Sequence, residues 1–388
     1  MQQYTAYQDV DKEQLQIDID NIKLTLGMPS QEDFKHLLKL ERWGRGATIF
    51  GYALIALVGF LELKYGISIL YIILLSTIGA ISIAVGNVSR WANITHPILH
   101  GAYDKVPNIP ARYTSKHFAS GKRRYIDWLD WIKPEAWAYE HNIMHHYHLG
   151  EDDDPDNVEN NLKWLTTSNV PMWLRYVIIY SFASLWKLTY YAPNTLRILD
   201  NKERKKAKLP ENKVYEWSPL KKNGFLLWRD YIAPYVGVRF ILIPLIFAIP
   251  FGLSGFLIAF LTTLLAEIIA NFHSFTVIVP NHSAEDIYRF ETPHKSQGEF
   301  YLRQIMGSVN YNTGSNLIDF MHGWLNYQVE HHLFPNLPLS QYQKMQPIVK
   351  EICKKHNLEY RQESVFKRAY MTIELMVGNA ELLRVKGV

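Results

Sequence analysis

The sequence predicts an all-α integral membrane protein, with four transmembrane helices in two hairpins and a cytoplasmic helical cap that carries clustered histidines. Two observations predict it. Residues 47–63 and 67–88 are almost wholly apolar and are parted by a short turn, and a second apolar pair covers 235–250 and 251–280. Such stretches are of the order of the roughly 20 residues that carry a helix across a bilayer. Lysine and arginine then set the orientation. They lie mainly before, between and after the hairpins, so the positive-inside rule puts both termini and the central region in the cytoplasm.

Residues 1–46 read as a cytoplasmic N-terminal segment. They are rich in acidic residues and lack the basic start and apolar core of a cleaved signal, so insertion relies on internal segments. Glu62, Lys64, Tyr65 and Gly66 mark the turn of the first hairpin, and Pro250, Gly252 and Gly255 mark the break in the second. Between the hairpins, 171–192 mixes Trp173, Tyr176, Tyr180, Trp186, Tyr190 and Tyr191 with Arg175 and Lys187, the composition of a helix lying in the membrane interface. The basic run at 202–208 suits an acidic electron-transfer protein or lipid headgroups, with an ordinary solvated face the plainer reading. Residues 47–346 form the expected membrane domain, and 347–388 read as a soluble helical tail without evident chemistry.

Composition narrows the chemistry. A net charge of +4 over 388 residues gives nucleic-acid binding no support and suits anionic lipid headgroups. A single cysteine, Cys353, excludes an intramolecular disulfide framework, a zinc ribbon and a cysteine-ligated iron–sulfur cluster. Any metal is therefore held by histidine and oxygen.

Three clusters gather seven of the fifteen histidines: His96 and His100; His141, His145 and His146; His331 and His332, preceded by Gln328. If these stretches are helical, the four-residue spacing stacks His96 over His100 and His141 over His145, and sets His146 about 100° round from His145, facing a second metal. Gln328 falls three and four residues before the last pair, where its amide can stand in for another ligand. A single H-x-x-x-H is weak evidence; three clusters beside apolar spans are not. Imidazoles in this number favour a borderline transition metal, and two iron ions make chemical sense beside a membrane of saturated chains, where breaking an unactivated C–H bond requires O2 activation.

His282, two residues past the last span, is expected to complete the metal site from the bundle side. Asn271 and His273 lie within the apolar stretch, where polar residues are functional candidates, and His273 reads equally well as a partnered structural histidine. His117, His148, His294 and His322 lack spacing partners. In the acidic run 151–156, one or two carboxylates, Asp152 and Asp153 among them, are candidates to orient histidine rings by accepting their distal N–H.

In order, His96-Pro-Ile-Leu-His100, His141-Asn-Ile-Met-His145-His146 and Gln328-Val-Glu-His331-His332-Leu-Phe-Pro335 resemble the three histidine boxes of membrane fatty acid desaturases. The stretch Gly323-Trp-Leu-Asn-Tyr-Gln-Val-Glu-His-His-Leu-Phe-Pro-Asn-Leu-Pro338 resembles the glutamine-containing third box of front-end desaturases, and Asn281-His282 matches an Asn-His pair upstream of it. The resemblance implies a mushroom-shaped protein with two irons held by the boxes and a narrow acyl channel. There are departures. Pro97 stands where front-end enzymes usually carry Asp, no haem-binding cytochrome b5 signature is present, and the second box has one residue more between its first histidine and the doublet.

The expected reaction is O2-dependent removal of two hydrogens from an acyl chain carried on coenzyme A, carrier protein or lipid. Electrons are expected from a ferredoxin or separate cytochrome b5, because the sequence has no flavin or nicotinamide fingerprint. The rivals are a hydroxylase or ketolase on the same scaffold and, from another class, a membrane transporter or metal-binding receptor.

Overall fold

The computed structural model describes residues 7 and 9–385, almost entirely as helices. Helix α1 (Lys12–Leu26) starts where the Asp11 carboxylate accepts the Gln14 N–H, and it buries Leu15, Ile19 and Ile22 along one face. That face packs on Gln297–Met306 and Leu339–Lys355. Helix α2 (Gln31–Tyr65) opens with a reciprocal cap between Ser30 and Asp33 and ends at Gly66 in the left-handed region. The boundary expected at residue 46 falls inside this one helix, because no proline or cap interrupts it. Helix α3 (Ile69–Ser89) continues through a π-helical turn, Arg90–Thr95, into α4 (His96–Leu99).

Three helical stretches are long and apolar enough to cross a membrane: Gln31–Tyr65, Ile69–Leu99 and Lys222–Asn281. The third is not straight. At Gly252 the backbone takes φ 62° and ψ −154°, a region that glycine alone occupies readily. The chain folds back there. The Tyr235 hydroxyl donates to Glu267 and the Phe240 and Phe260 rings lie 6.4 Å apart, although residues 32 apart on a straight helix would be about 48 Å apart. These helices expose large apolar side chains, Leu70 at 70% and Ile249 at 85%, a surface suited to lipid rather than water.

The rest is a layer of short helices around a core rich in buried tryptophan, including Trp128, Trp131, Trp137, Trp186 and Trp324. The stretch read as an interfacial helix forms Met172–Trp186. It buries Ile179, Ala183 and Trp186 and leaves Trp173 and Tyr180 exposed. Lys187, counted among its polar residues, is buried against Asp130 at 2.9 Å. The C-terminal residues are woven into the body by two short parallel pairings, Tyr288–Phe290 with Leu383–Val385 and Asn310–Tyr311 with Gln362–Glu363. Arg368 on helix Val365–Val377 is buried and paired with Asp286 at 2.6 Å.

Candidate metal centre

Four short segments bring the histidines together, one of them the turn Val279–Asn281, which His282 follows. His96 sits at the head of α4 and His100 just after its end. The second cluster follows helix Pro134–Tyr139 through a π-helical stretch, Glu140–His145, in which the His146 N–H bonds the His141 carbonyl at 3.1 Å. This adds to the expected stacking. The hydrogen bond of a π-helix spans five residues, not four, so His146 also comes up beside His141, with Nε2 atoms 3.3 Å apart, while the His145 ring stacks on His141 with centroids 5.3 Å apart. The extra residue of the second cluster is thereby absorbed into the wider turn. The helix Gln328–Leu333 carries the third cluster.

The ligand atoms fall into two main groups, each drawn together within 4.8 Å. One comprises His96, His100, His141 and His331; the other His145, His282 and His332; between them His146 meets His331 and His332, and His141 meets His145 and Asp156. His96 Nε2 and His141 Nε2 are 3.1 Å apart. Two nitrogens held on one metal at about 2.1 Å stand about 3.0–3.4 Å apart, which these separations match. Nε2 of His100, His331 and His332 is buried with no hydrogen-bond partner among the described residues. A buried polar atom left so costs about 1–3 kcal/mol, and a metal ion would satisfy all three. The donor set fits a borderline transition metal.

Electrostatics favour neutral rings with available lone pairs. Burial, reinforced by neighbouring imidazoles, holds His100, His141, His146, His331 and His332 well below the usual histidine range and brings His282 to about 3. His145 differs. Burial lowers it too, but the Asp154 carboxylate beside its Nδ1, at 3.0 Å, more than offsets this and the net shift is upward.

The outer nitrogens are mostly spoken for. His282 Nδ1 donates to the Gly307 carbonyl at 2.8 Å, His332 Nδ1 to Gln304 Oε1 at 2.8 Å, and His331 Nδ1 to the Tyr342 hydroxyl oxygen at 3.2 Å, while that hydroxyl donates to the Phe334 carbonyl. Trp137 stacks on His141 with centroids 4.6 Å apart. Gln304 and Tyr342 had no spacing signal in the sequence, since folding alone brings them to the third cluster. Gln328 lies with Nε2 2.8 Å from His282 Nε2, at the edge of the second group.

Other expected residues lie elsewhere. Asp152 and Asp153 are exposed, and Asp152 pairs with Arg289; the turns at 148–157 point Asp154 inward instead, with Asp156 3.8 Å from His145 Nδ1. Asn271 bonds Glu267 and the Lys187 N–H, and His273 Nε2 bonds the Met321 carbonyl at 2.6 Å. Neither belongs to the histidine groups: Asn271 is taken up by Glu267 and Lys187, and His273 by the Met321 carbonyl.

A cavity of about 1190 Å³, its open mouth included, meets the histidines. His96, His141, His145 and His282 border it together with Trp91, Trp137, Phe182, Trp186 and Phe275. Met376, from the tail in which the sequence showed no chemistry, also lines it. The arrangement can place an elongated apolar molecule against a metal centre.

Comparison with known proteins agrees with this geometry. The family model for fatty acid desaturase matches residues 71–364. The chain is 27% identical over 299 residues to an NADPH-dependent stearoyl-CoA 9-desaturase of Mycobacterium tuberculosis, covering 73% of this chain and 62% of that protein. It is 26% identical over 306 residues to an sn-1 linoleoyl-lipid 6-desaturase of Synechocystis, covering 75% and 77%, and 38% identical over 96 residues to a Delta(8)-fatty-acid desaturase of Arabidopsis thaliana, covering 25% and 20%. With the family match running through all three histidine clusters and most of the sequence, the chain belongs to the fatty acid desaturase family.

Proposed function

We propose that the chain is an O2-dependent fatty acyl desaturase in which His96, His100, His141, His145, His146, His282, His331 and His332 hold two iron ions. The observation that carries this reading is the convergence of the histidine groups on one side of an aromatic-lined cavity. Iron bound there would supply the O2 activation that breaking an unactivated methylene C–H bond requires and that side chains lack.

The protein's own part is positioning. Trp91, Trp137, Phe182, Trp186 and Phe275 hold the acyl chain and exclude water, and the carbon pair they set beside the histidines decides where the double bond forms. Asp154, Gln304, Tyr342 and the Gly307 carbonyl accept Nδ1–H protons and so keep each lone pair on Nε2. Electrons are supplied by a ferredoxin or cytochrome b5. One relative is named for stearoyl-CoA and another for a linoleoyl lipid; the substrate proposed for this chain is a long acyl group on coenzyme A, carrier protein or lipid.

In the membrane, spans near 47–63, 67–88, 235–250 and 251–280 form two hairpins, a reading supported by the reversal at Gly252. The cap, residues 1–46 and 347–388, and the histidines then face the cytoplasm. Acyl-chain profiling of a heterologous host tests the activity. A new unsaturated product is expected with the wild type and not with His331→Ala/His332→Ala; hydroxylated lipids instead would overturn desaturation.

A further inference from the structure

A second cavity, of about 680 Å³ with its open part included, lies among α2, α3 and the segment Gly237–Leu242, apart from the acyl cavity. Arg45, Arg90 and Arg239 border it, with Glu41 the one carboxylate. Glu41 Oε1 accepts from Arg45 at 2.7 Å and Arg90 at 2.8 Å, its other oxygen accepts from the Tyr113 hydroxyl, and Arg239 donates to Asn87 Oδ1 at 2.8 Å. Among the lining residues three guanidiniums face one carboxylate; outside the lining Asp127 lies close enough to act on Arg45 and Arg90, and Glu267 on Arg239. Each guanidinium carries five N–H donors, more than these partners take up.

A neutral signal points the same way. Ser89 is 3% exposed, borders the cavity, and its Oγ has no hydrogen-bond partner among the described residues. The gap is held narrow on one side by close helix contact: a Cβ on Gly44 would stand 2.6 Å from Ser89 Oγ, and one on Gly86 would strike Thr48. The arginines share a level. Arg45 precedes the first expected span, Arg90 follows the second, and Arg239 lies near the start of the third, where the headgroups of the cytoplasmic leaflet would lie.

We propose that this cavity binds a phosphate group at the membrane surface, presented by an anionic phospholipid headgroup rather than by a soluble phosphate. Guanidinium is the side chain suited to paired hydrogen bonds with phosphate oxygens, and a buried hydroxyl adds a further donor. The headgroup source rests on the membrane orientation proposed above; the binding itself does not depend on the reaction.

Native mass spectrometry of the delipidated protein, given dioleoylphosphatidylglycerol or dioleoylphosphatidylcholine, tests it. Wild type should retain the anionic lipid preferentially, and Arg45→Gln, whose side chain is 61% exposed and so safe for folding, should weaken retention about fivefold, with a similar further loss for Arg239→Gln. His331→Ala/His332→Ala should bind the lipid as wild type does, which separates this proposal from the desaturase reading. No effect of Arg45→Gln, or an equal loss in Lys64→Gln at the far end of α2, would overturn the site; equal retention of both lipids, which share the phosphodiester, would overturn the anionic headgroup. Displacement of the lipid by inorganic phosphate at matched concentration would overturn the headgroup source.

Discussion

His146 Nε2 lies 3.3 Å from His141 Nε2, one π-helical turn along the chain. That turn lets three histidines in six residues join both histidine groups, His141 with His96 and His100, His145 with His282 and His332, and His146 between. His146→Ala should therefore lower bound iron by at least one ion per chain in elemental analysis. His148→Ala should not, because His148 Nδ1 bonds Glu151 at 3.0 Å outside the groups.

Asp154 acts on the centre through His145. Replacing it with Asn removes the carboxylate from the His145 Nδ1–H, and losses of such partners typically cost about 10–100-fold in metal affinity. A metal-competition titration of Asp154→Asn should show a drop of that order, while Asp152→Asn, on the exposed side of the same loop and paired with Arg289, should match wild type.

The lowered histidines give the metal-free protein a defined pH dependence. Their folded pKa values lie below the unfolded value of about 6.5, so the unfolded chain binds more protons under acid. Stability is then present above about pH 6.5 and lost as pH falls, by about 1.4 kcal/mol per pH unit for each such group. Thermal melts of the metal-free protein should show a lower Tm at pH 5.5 than at pH 8; the reverse order would contradict neutral buried rings.

The bend at Gly252 is a backbone requirement. With φ at 62° and ψ at −154°, Gly252→Ala should cost about 1–3 kcal/mol and lower the Tm in detergent. Ala substitution at Leu253 next door, 73% exposed, should not.

Ile178 borders the acyl cavity without belonging to the histidine groups. Ile178→Trp fills space there and should lower turnover of long acyl chains by about tenfold, the weight of roughly 1.4 kcal/mol in positioning, with metal content unchanged. Product profiles and elemental analysis on the same preparation check both halves.

Much of this was legible in the sequence. The apolar stretches and the three clusters needed only period and spacing, and His282 stood out by its place after the last apolar run. Three things were not legible. The π-turn at Glu140–His145 depends on a change of hydrogen-bond register that α-helical spacing cannot express, so spacing pairs His145 with His141, whose rings do stack, but does not show that His146 Nε2 also reaches His141. Within the acidic run, composition could not say that the turns aim Asp154 rather than Asp152 or Asp153 at His145. Gln304, Tyr342 and Met376 reach the site only through long-range packing, and no local pattern marks them.

The most direct measurement is a single turnover of purified, iron-loaded protein with a defined saturated acyl substrate, O2 and a chemical reductant, reading iron per chain and product mass together. The account predicts two iron ions per chain and a product lighter by two hydrogens, both lost in His331→Ala/His332→Ala. A product heavier by one oxygen, or O2-independent binding of a single metal without any product, would contradict it.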